Sequence, residues 1–221
     1  MCGRFVQITP IPKLVKRFKV RRLTPVDKGP CYNVAPTHQI LIVNNEGERQ
    51  LIQARWGLVP SWAKDPSIGN HMINARAETV ARKPAFRHAL ETRRCLIIAD
   101  GFFEWKKEGN RKLPMYLRLS SGKVFAFAGP YNIWTSPAGE TMYTCTIVTT
   151  EANGLVKPFH DRMPAILPKN EEDLWLDPNV RDKEELLTLL RPYDADEMET
   201  WEVTPKMNRP EHDAAENIKP I

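Results

Sequence analysis

The residue best placed to do chemistry in this sequence is the second one. Met1-Cys2-Gly3-Arg4 puts a cysteine directly behind the initiator methionine, and a side chain that small lets methionine aminopeptidase expose it. The product would carry an α-amino group and a thiol on adjacent carbons. With ordinary pKa values near ~8 and ~8.5, both groups are partly deprotonated at neutral pH. The amine can condense with an aldehyde to an imine, and the thiol can then close a five-membered thiazolidine. An inert Cys2, or a retained Met1, is the plainer alternative.

Two further segments carry acid–base residues. Glu104 lies in Ala99-Asp100-Gly101-Phe102-Phe103-Glu104-Trp105. In an apolar pocket its pKa would rise toward values useful to a general acid. In a strand, however, it points away from both aromatic neighbours, so an outward-facing glutamate fits as well. His160, in Phe159-His160-Asp161-Arg162-Met163-Pro164, follows a loop containing Gly154 and Pro158. It suits a proton shuttle beside an aspartate, or a hydrogen-bonded structural histidine. Ile73-Asn74-Ala75-Arg76-Ala77-Glu78-Thr79 reads as a helix start. Asn74 would be its N-cap and Glu78 would pair with Arg82, or else Asn74 would touch a ligand while Arg76 holds a phosphate. Tyr32-Asn33-Val34-Ala35-Pro36 and Trp56-Gly57-Leu58-Val59-Pro60-Ser61-Trp62 are rigid aromatic segments, fit to wedge against unstacked bases or to plug a core. For Trp56 the core is favoured.

The elements that must position these residues are mostly strands. Met1 to Thr9 begins as a strand and Pro12 to Phe18 as a short amphipathic helix. His38 to Asn44 and Gln50 to Trp56 form a hairpin around Asn45-Glu46-Gly47-Glu48. Ala75 to Ala81 and Ala85 to Arg93 have helical composition, broken by Pro84. Cys95 to Ile98 reads as a buried strand. Gly101 to Lys107 and Pro114 to Leu119 form a second hairpin at Gly109-Asn110. Lys123 to Ala128 and Met142 to Thr150 are β-rich, with Thr144 to Thr150 as a central strand. Glu171 to Leu176 and Lys183 to Leu190 read as helices, and Thr200 to Val203 as strand. Strands joined by hairpins point to an α+β fold with a curved, largely antiparallel, barrel-like sheet and peripheral helices. Neither a GxGxxG nor a P-loop pattern occurs, so no nucleotide cofactor is indicated.

With 221 residues, 42% hydrophobic and 27% charged, the chain suits one soluble domain over residues 2–221. No apolar run is long enough to cross a bilayer, and the first residues lack an apolar signal core. Cys2, Cys31, Cys95 and Cys145 show no CxxC pair and no zinc-ligand spacing. Reduced thiols in a cytoplasmic, monomeric protein without cofactor or metal are the simplest expectation. The net charge of +5 allows a polyanionic partner. Arg4, Arg55, Arg76, Arg82, Lys83, Arg93 and Arg94 crowd the first half while acidic residues gather later. That suggests a basic face built from the N-terminal half, although solvated surface charge explains any single one of them.

Cys2-Gly3-Arg4, Tyr32 to Pro36, Trp56 to Trp62, Asn74-Ala75-Arg76, Gly101 to Trp105 and His160 to Pro164 occur in the order and spacing of one family. The chain resembles the SOS-response-associated peptidase (SRAP) family, also described as abasic site processing proteins, from Cys2 to the segment Val203 to Asn208. The resemblance implies a sensor that crosslinks to abasic sites in single-stranded DNA through Cys2. It further implies that Asn74 orients the opened sugar, Glu104 assists proton transfer and His160 helps open the deoxyribose ring. Arg4 and Arg76 would anchor phosphates, with Gly3, Pro36 and Arg162 also on the DNA, and either Arg82 or Lys83 contacting phosphate. The family's older name keeps a second expectation open, a cysteine peptidase that processes only itself. A plain single-stranded nucleic-acid binder is a third.

Overall fold

The computed structural model describes residues 2–26 and 28–221; the expected removal of Met1 concerns a residue outside that set. The chain runs through β1 (Phe5–Gln7), α1 (Ile11–Arg17), β2 (Arg22–Leu23), β3 (Cys31–Val34), β4 (Gln39–Asn45) and β5 (Arg49–Trp56). It continues with β6 (Asn74–Arg76), α2 (Ala77–Val80), α3 (Arg87–Thr92), β7 (Arg94–Ala99), β8 (Gly101–Glu108) and β9 (Arg111–Leu119). Then come β10 (Phe125–Thr135), β11 (Thr141–Cys145), β12 (Ile147–Glu151), β13 (Arg162–Pro164), α4 (Glu172–Leu176), α5 (Lys183–Thr188) and β14 (Met198–Glu202).

One sheet has the order β11-β10-β7-β4-β5-β2, and β11 also pairs with β5, so five of its strands close on themselves. The closing contact is parallel, with Thr144 opposite Arg55 and Cys145 opposite Trp56. A second sheet, β14-β9-β8-β1-β3, is antiparallel throughout, and a small one, β13-β12-β6, completes the set. This is the α+β, barrel-like architecture that the hairpin spacing implies.

Alternation explains why the barrel strands read as continuous apolar runs. Every residue of β7 is buried. Cys95, Ile97 and Ala99 face the barrel interior with Ile40, Ile42, Trp56, Phe102 and Phe127. Leu96 and Ile98 face the helices, against Leu14, Phe18, Leu90, Trp175 and Leu186. A sheet covered on both sides needs apolar residues on both. Trp56 is fully buried, as expected, with its ring edge-on to Phe5 at 5.0 Å.

Three sequence expectations are corrected. Thr144 to Thr150 is not one strand, because the pairing of β10 with β11 stops after Tyr131 opposite Cys145. Thr146 N donates to Pro130 O at 3.2 Å, but proline has no N–H to return. The chain therefore turns away as β12 into the small sheet, its Thr146 carbonyl lying against Gly129, where a Cβ would not fit. Asn74 is not a helix cap. It sits in β6, parallel to β12 with Ile147 opposite, and the helix begins only at Ala77. Arg94 is not surface charge: it is 5% exposed, and its guanidinium donates to the carbonyls of Leu90, Glu91, Trp175, Asp177 and Val180.

Barrel closure also depends on Gly57. Its φ is +130°, its N–H donates to Cys145 O at 2.8 Å, and an added Cβ would lie 2.5 Å from Gly69 O. Gly57→Ala is therefore expected to cost about 2 kcal/mol or more from backbone strain and clash. Urea unfolding would show this as a lower midpoint at unchanged slope. A loss below about 0.5 kcal/mol would contradict the closure argument.

Candidate active site

Cys2 precedes β1 and is fully buried, packed with the barrel-interior cluster. Its Sγ donates to Arg4 O at 3.7 Å. The Asn74 side chain reaches it from the small sheet, Nδ2 donating to Cys2 O at 2.9 Å. The β6–β12 ladder sets that reach, so Asn74 is held by backbone pairing and not by a helix start. Its Oδ1 is buried and accepts nothing among the described residues, which leaves an acceptor beside the cysteine.

Glu104 stands on β8 opposite Met115 and is 3% exposed. Strand alternation puts it on the Phe102 side, away from Phe103 and Trp105, so the barrel interior desolvates it and the flanking aromatics do not. Burial pushes its carboxyl up to about 7. The Cys2 thiol is also pushed far above its ordinary range, first by burial and then by the Glu104 carboxylate. The Glu104 carboxylate thus favours the neutral form of the thiol.

His160 ends the turn after β12, with its N–H on Val156 O at 3.1 Å. Nδ1 accepts the Arg162 N–H at 2.8 Å, which leaves the proton of the neutral ring on Nε2. Burial lowers its pKa. The Asp161 carboxylate pairs with Lys157 at 2.9 Å and is not hydrogen-bonded to the ring among the described residues. Glu104, His160, Phe159, Trp105 and Asn208 line one cavity of about 510 Å³. The structure therefore brings Cys2, Asn74, Glu104 and His160 into one neighbourhood. No group of three or more His, Cys, Asp or Glu among the described residues is placed to hold a metal ion.

The basic residues divide. Arg76 is exposed at the end of β6. Arg4 is held by the protein, donating to Asn33 Oδ1 at 2.8 Å and to the carbonyls of Met207 and Asn208 at 3.2 Å. Arg162 is committed more fully. It forks onto Glu78 at 2.6 and 2.9 Å and onto Thr149 O at 2.6 Å. Glu78 thus spends its carboxylate on Arg162, while Arg82 reaches only the Glu78 backbone carbonyl, at 2.9 Å. Gly3 is half-buried between Cys2 and Arg4, and Pro36 is half-buried in the turn between β3 and β4.

Sequence reasoning missed the long-range contacts that fasten the site. Asn33 is fully buried and donates to three carbonyls between Met207 and His212, fastening the Arg4 side of the site. Trp105 Nε1 donates to Asn208 Oδ1 at 2.7 Å across the cavity mouth. The pairing of Glu78 with Arg162 spans 84 positions, and no local spacing could have shown it.

A buried thiol at position 2, hydrogen-bonded through its carbonyl to an asparagine and beside a carboxyl raised toward neutrality, forms a cysteine-centred candidate site. The chain belongs to the SOS response associated peptidase (SRAP) family, whose model matches residues 1–210. It is 46% identical over 222 residues to the abasic site processing protein YoqW of Bacillus subtilis strain 168, covering 99% of both chains. The abasic site processing protein HMCES of Gallus gallus is 33% identical over 201 residues, 80% of this chain and 59% of that protein. A crystal structure of a protein from Bacteroides thetaiotaomicron superposes with a TM-score of 0.91 at 27% identity, over 100% of both chains.

The Glu104 carboxyl gives a direct test. Its folded pKa, about 7, lies above the unstructured value of 4.5. The folded state therefore holds a proton that the unfolded state releases, and stability falls as pH rises between those values. Glu104→Gln cannot titrate, so it should gain on the native protein by about 3 kcal/mol between pH 4 and pH 8. Denaturant unfolding at both pH values checks this, and a constant difference would contradict it.

Proposed function

We propose that this protein captures abasic sites in single-stranded DNA by forming a thiazolidine between Cys2 and the C1′ aldehyde. The observation that carries the proposal is the pairing of a buried Cys2 with the Glu104 carboxyl titrating near neutrality. Kinship with abasic site processing proteins over nearly the whole chain supports it. Capture requires that Met1 be removed, since only then does Cys2 carry an amine.

The abasic sugar is mostly a closed hemiacetal. Opening it moves the C1′ hydroxyl proton to a base and delivers a proton to the ring oxygen. Glu104, near its midpoint at neutral pH, and His160, with its Nε2 proton, are suited to that pair of transfers. The amine then attacks C1′ and the carbinolamine loses water to give the imine. The Asn74 Oδ1, which accepts from none of the described residues, is an acceptor for a hydroxyl of the opened sugar.

The thiol acts second. Because it is held neutral, sulfur adds to C1′ as its proton passes by way of Glu104 to the imine nitrogen. One C–S bond forms, the C=N bond becomes single, and the overall reaction releases one water. The closed ring carries no iminium to drive strand cleavage. Arg76 supplies an exposed cation for a flanking phosphate. Arg4 and Arg162 contribute by shaping the site through their protein partners. A peptidase would need a thiolate, and burial beside a carboxylate pushes the thiol away from that form.

Mixing the protein with single-stranded DNA that carries an abasic site should give an adduct on a denaturing gel. Cys2→Ala and a form that keeps Met1 should give none; adduct from Cys2→Ala would refute the proposal. Peptide cleavage without adduct would support a peptidase instead. Separately, Glu104→Gln should slow adduct formation by about 100-fold at neutral pH, abolish the rate transition near pH 7, and leave DNA affinity within about twofold. Equal loss of rate and affinity would remove Glu104 from the proton transfers.

A further inference from the structure

The β8–β9 hairpin carries a feature that its own folding does not explain. Lys107 and Lys112 stand directly opposite each other in register, so their side chains leave the same face of the ribbon. Like charges in that relation destabilise a hairpin. The next pair outward shows the usual remedy, Glu108 opposite Arg111 with an ion pair at 3.3 Å. The lysines have no such relief: both are exposed, and neither forms an ion pair among the described residues.

Both lysines also line the cavity that Glu104 and His160 line. The positive charge of Lys107 is felt at the His160 ring, which places it within electrostatic range of the candidate acid–base pair. The cavity is therefore asymmetric. Its inner end holds groups that lean neutral, and its outer lip holds two uncompensated cations. Trp105, fixed by its bond to Asn208, lines the same cavity.

We propose that Lys107 and Lys112 form a seat for one phosphodiester of the captured strand, next to the sugar that reacts at Cys2. The proposal rests on the capture reading and extends it to residues outside its acid–base and arginine set. Two ammonium groups across one register position can bracket a single phosphate, which cancels the repulsion that the empty hairpin carries. Arg76, exposed two residues beyond Asn74 on β6, is a second cation for the strand. Held at both, the strand would present the sugar to Glu104 and His160. An anion on the lysines would also relieve their field on His160 and make its ring easier to protonate as ring opening begins.

The test separates this seat from the covalent chemistry. Binding is measured by fluorescence anisotropy on single-stranded DNA carrying tetrahydrofuran, an abasic analogue without an aldehyde, over a series of salt concentrations. Lys107→Gln/Lys112→Gln should bind about tenfold more weakly and flatten the log–log salt slope by about 0.7, the share of one phosphate on a single strand. Lys106→Gln/Arg111→Gln removes the same charge from the same hairpin and should leave both nearly unchanged. Lys107→Arg/Lys112→Arg should keep wild-type binding, which shows that the positions tolerate substitution. Wild-type affinity and slope in the lysine-to-glutamine pair, or an equal loss in the control pair, would overturn the seat. Wild-type protein that passes this test yet forms no adduct with a true abasic site would overturn capture and leave the seat standing.

Discussion

A carboxyl and a thiol are buried side by side, and the thiol cannot ionise cheaply beside the carboxylate. Burial raises Glu104 to about 7 and pushes the Cys2 thiol well above its usual range. In water each would titrate alone, and the thiol would sit partly as thiolate. Inside the barrel the Glu104 carboxylate adds to the burial that holds the thiol protonated, so sulfur keeps its proton throughout the range in which Glu104 titrates. That coupling suits an amine-first reaction, in which the thiol must remain a proton carrier until the imine exists.

The fold is the means of keeping that pocket dry and its contents fixed. Closure of β5 onto β11 brings Gly57 and Cys145 together and buries Trp56 against Phe5, the strand that follows Cys2. The break at Pro130 and Thr146 then releases β12 from the barrel and lets it pair with β6, which aims Asn74 at the Cys2 carbonyl. A backbone donor missing from one proline thus decides where Asn74 stands. The C-terminal segment completes the wall through Asn33, Arg4 and Trp105, which fasten Met207 to His212 over the second sheet.

Much of this was legible in the residues, and the exceptions share a cause. Hairpins at Asn45 to Glu48 and at Gly109-Asn110, the two-faced apolar strand Cys95 to Ile98 and the short helices follow from local pattern. Cys2, Asn74, Glu104 and His160 were found as residue types in informative company. Their environments were not, because burial of Glu104 depends on which strand face meets the barrel. Asn74 looked like a cap since Asn before a helical run usually is one, but pairing with a strand 73 positions away prevailed. Arg94 looked like a surface cation, and Glu78 like a partner of Arg82, for the same reason: their actual partners, Trp175 O and Arg162, are distant in sequence.

The most direct measurement is the intact mass of the protein–DNA product before and after treatment with borohydride. The account predicts protein without Met1 plus DNA less one water, with no change on reduction, because a closed thiazolidine offers no C=N bond to reduce. A gain of two hydrogens would show an open imine with an idle thiol. Attachment to a chain that still carries Met1 would contradict the account outright.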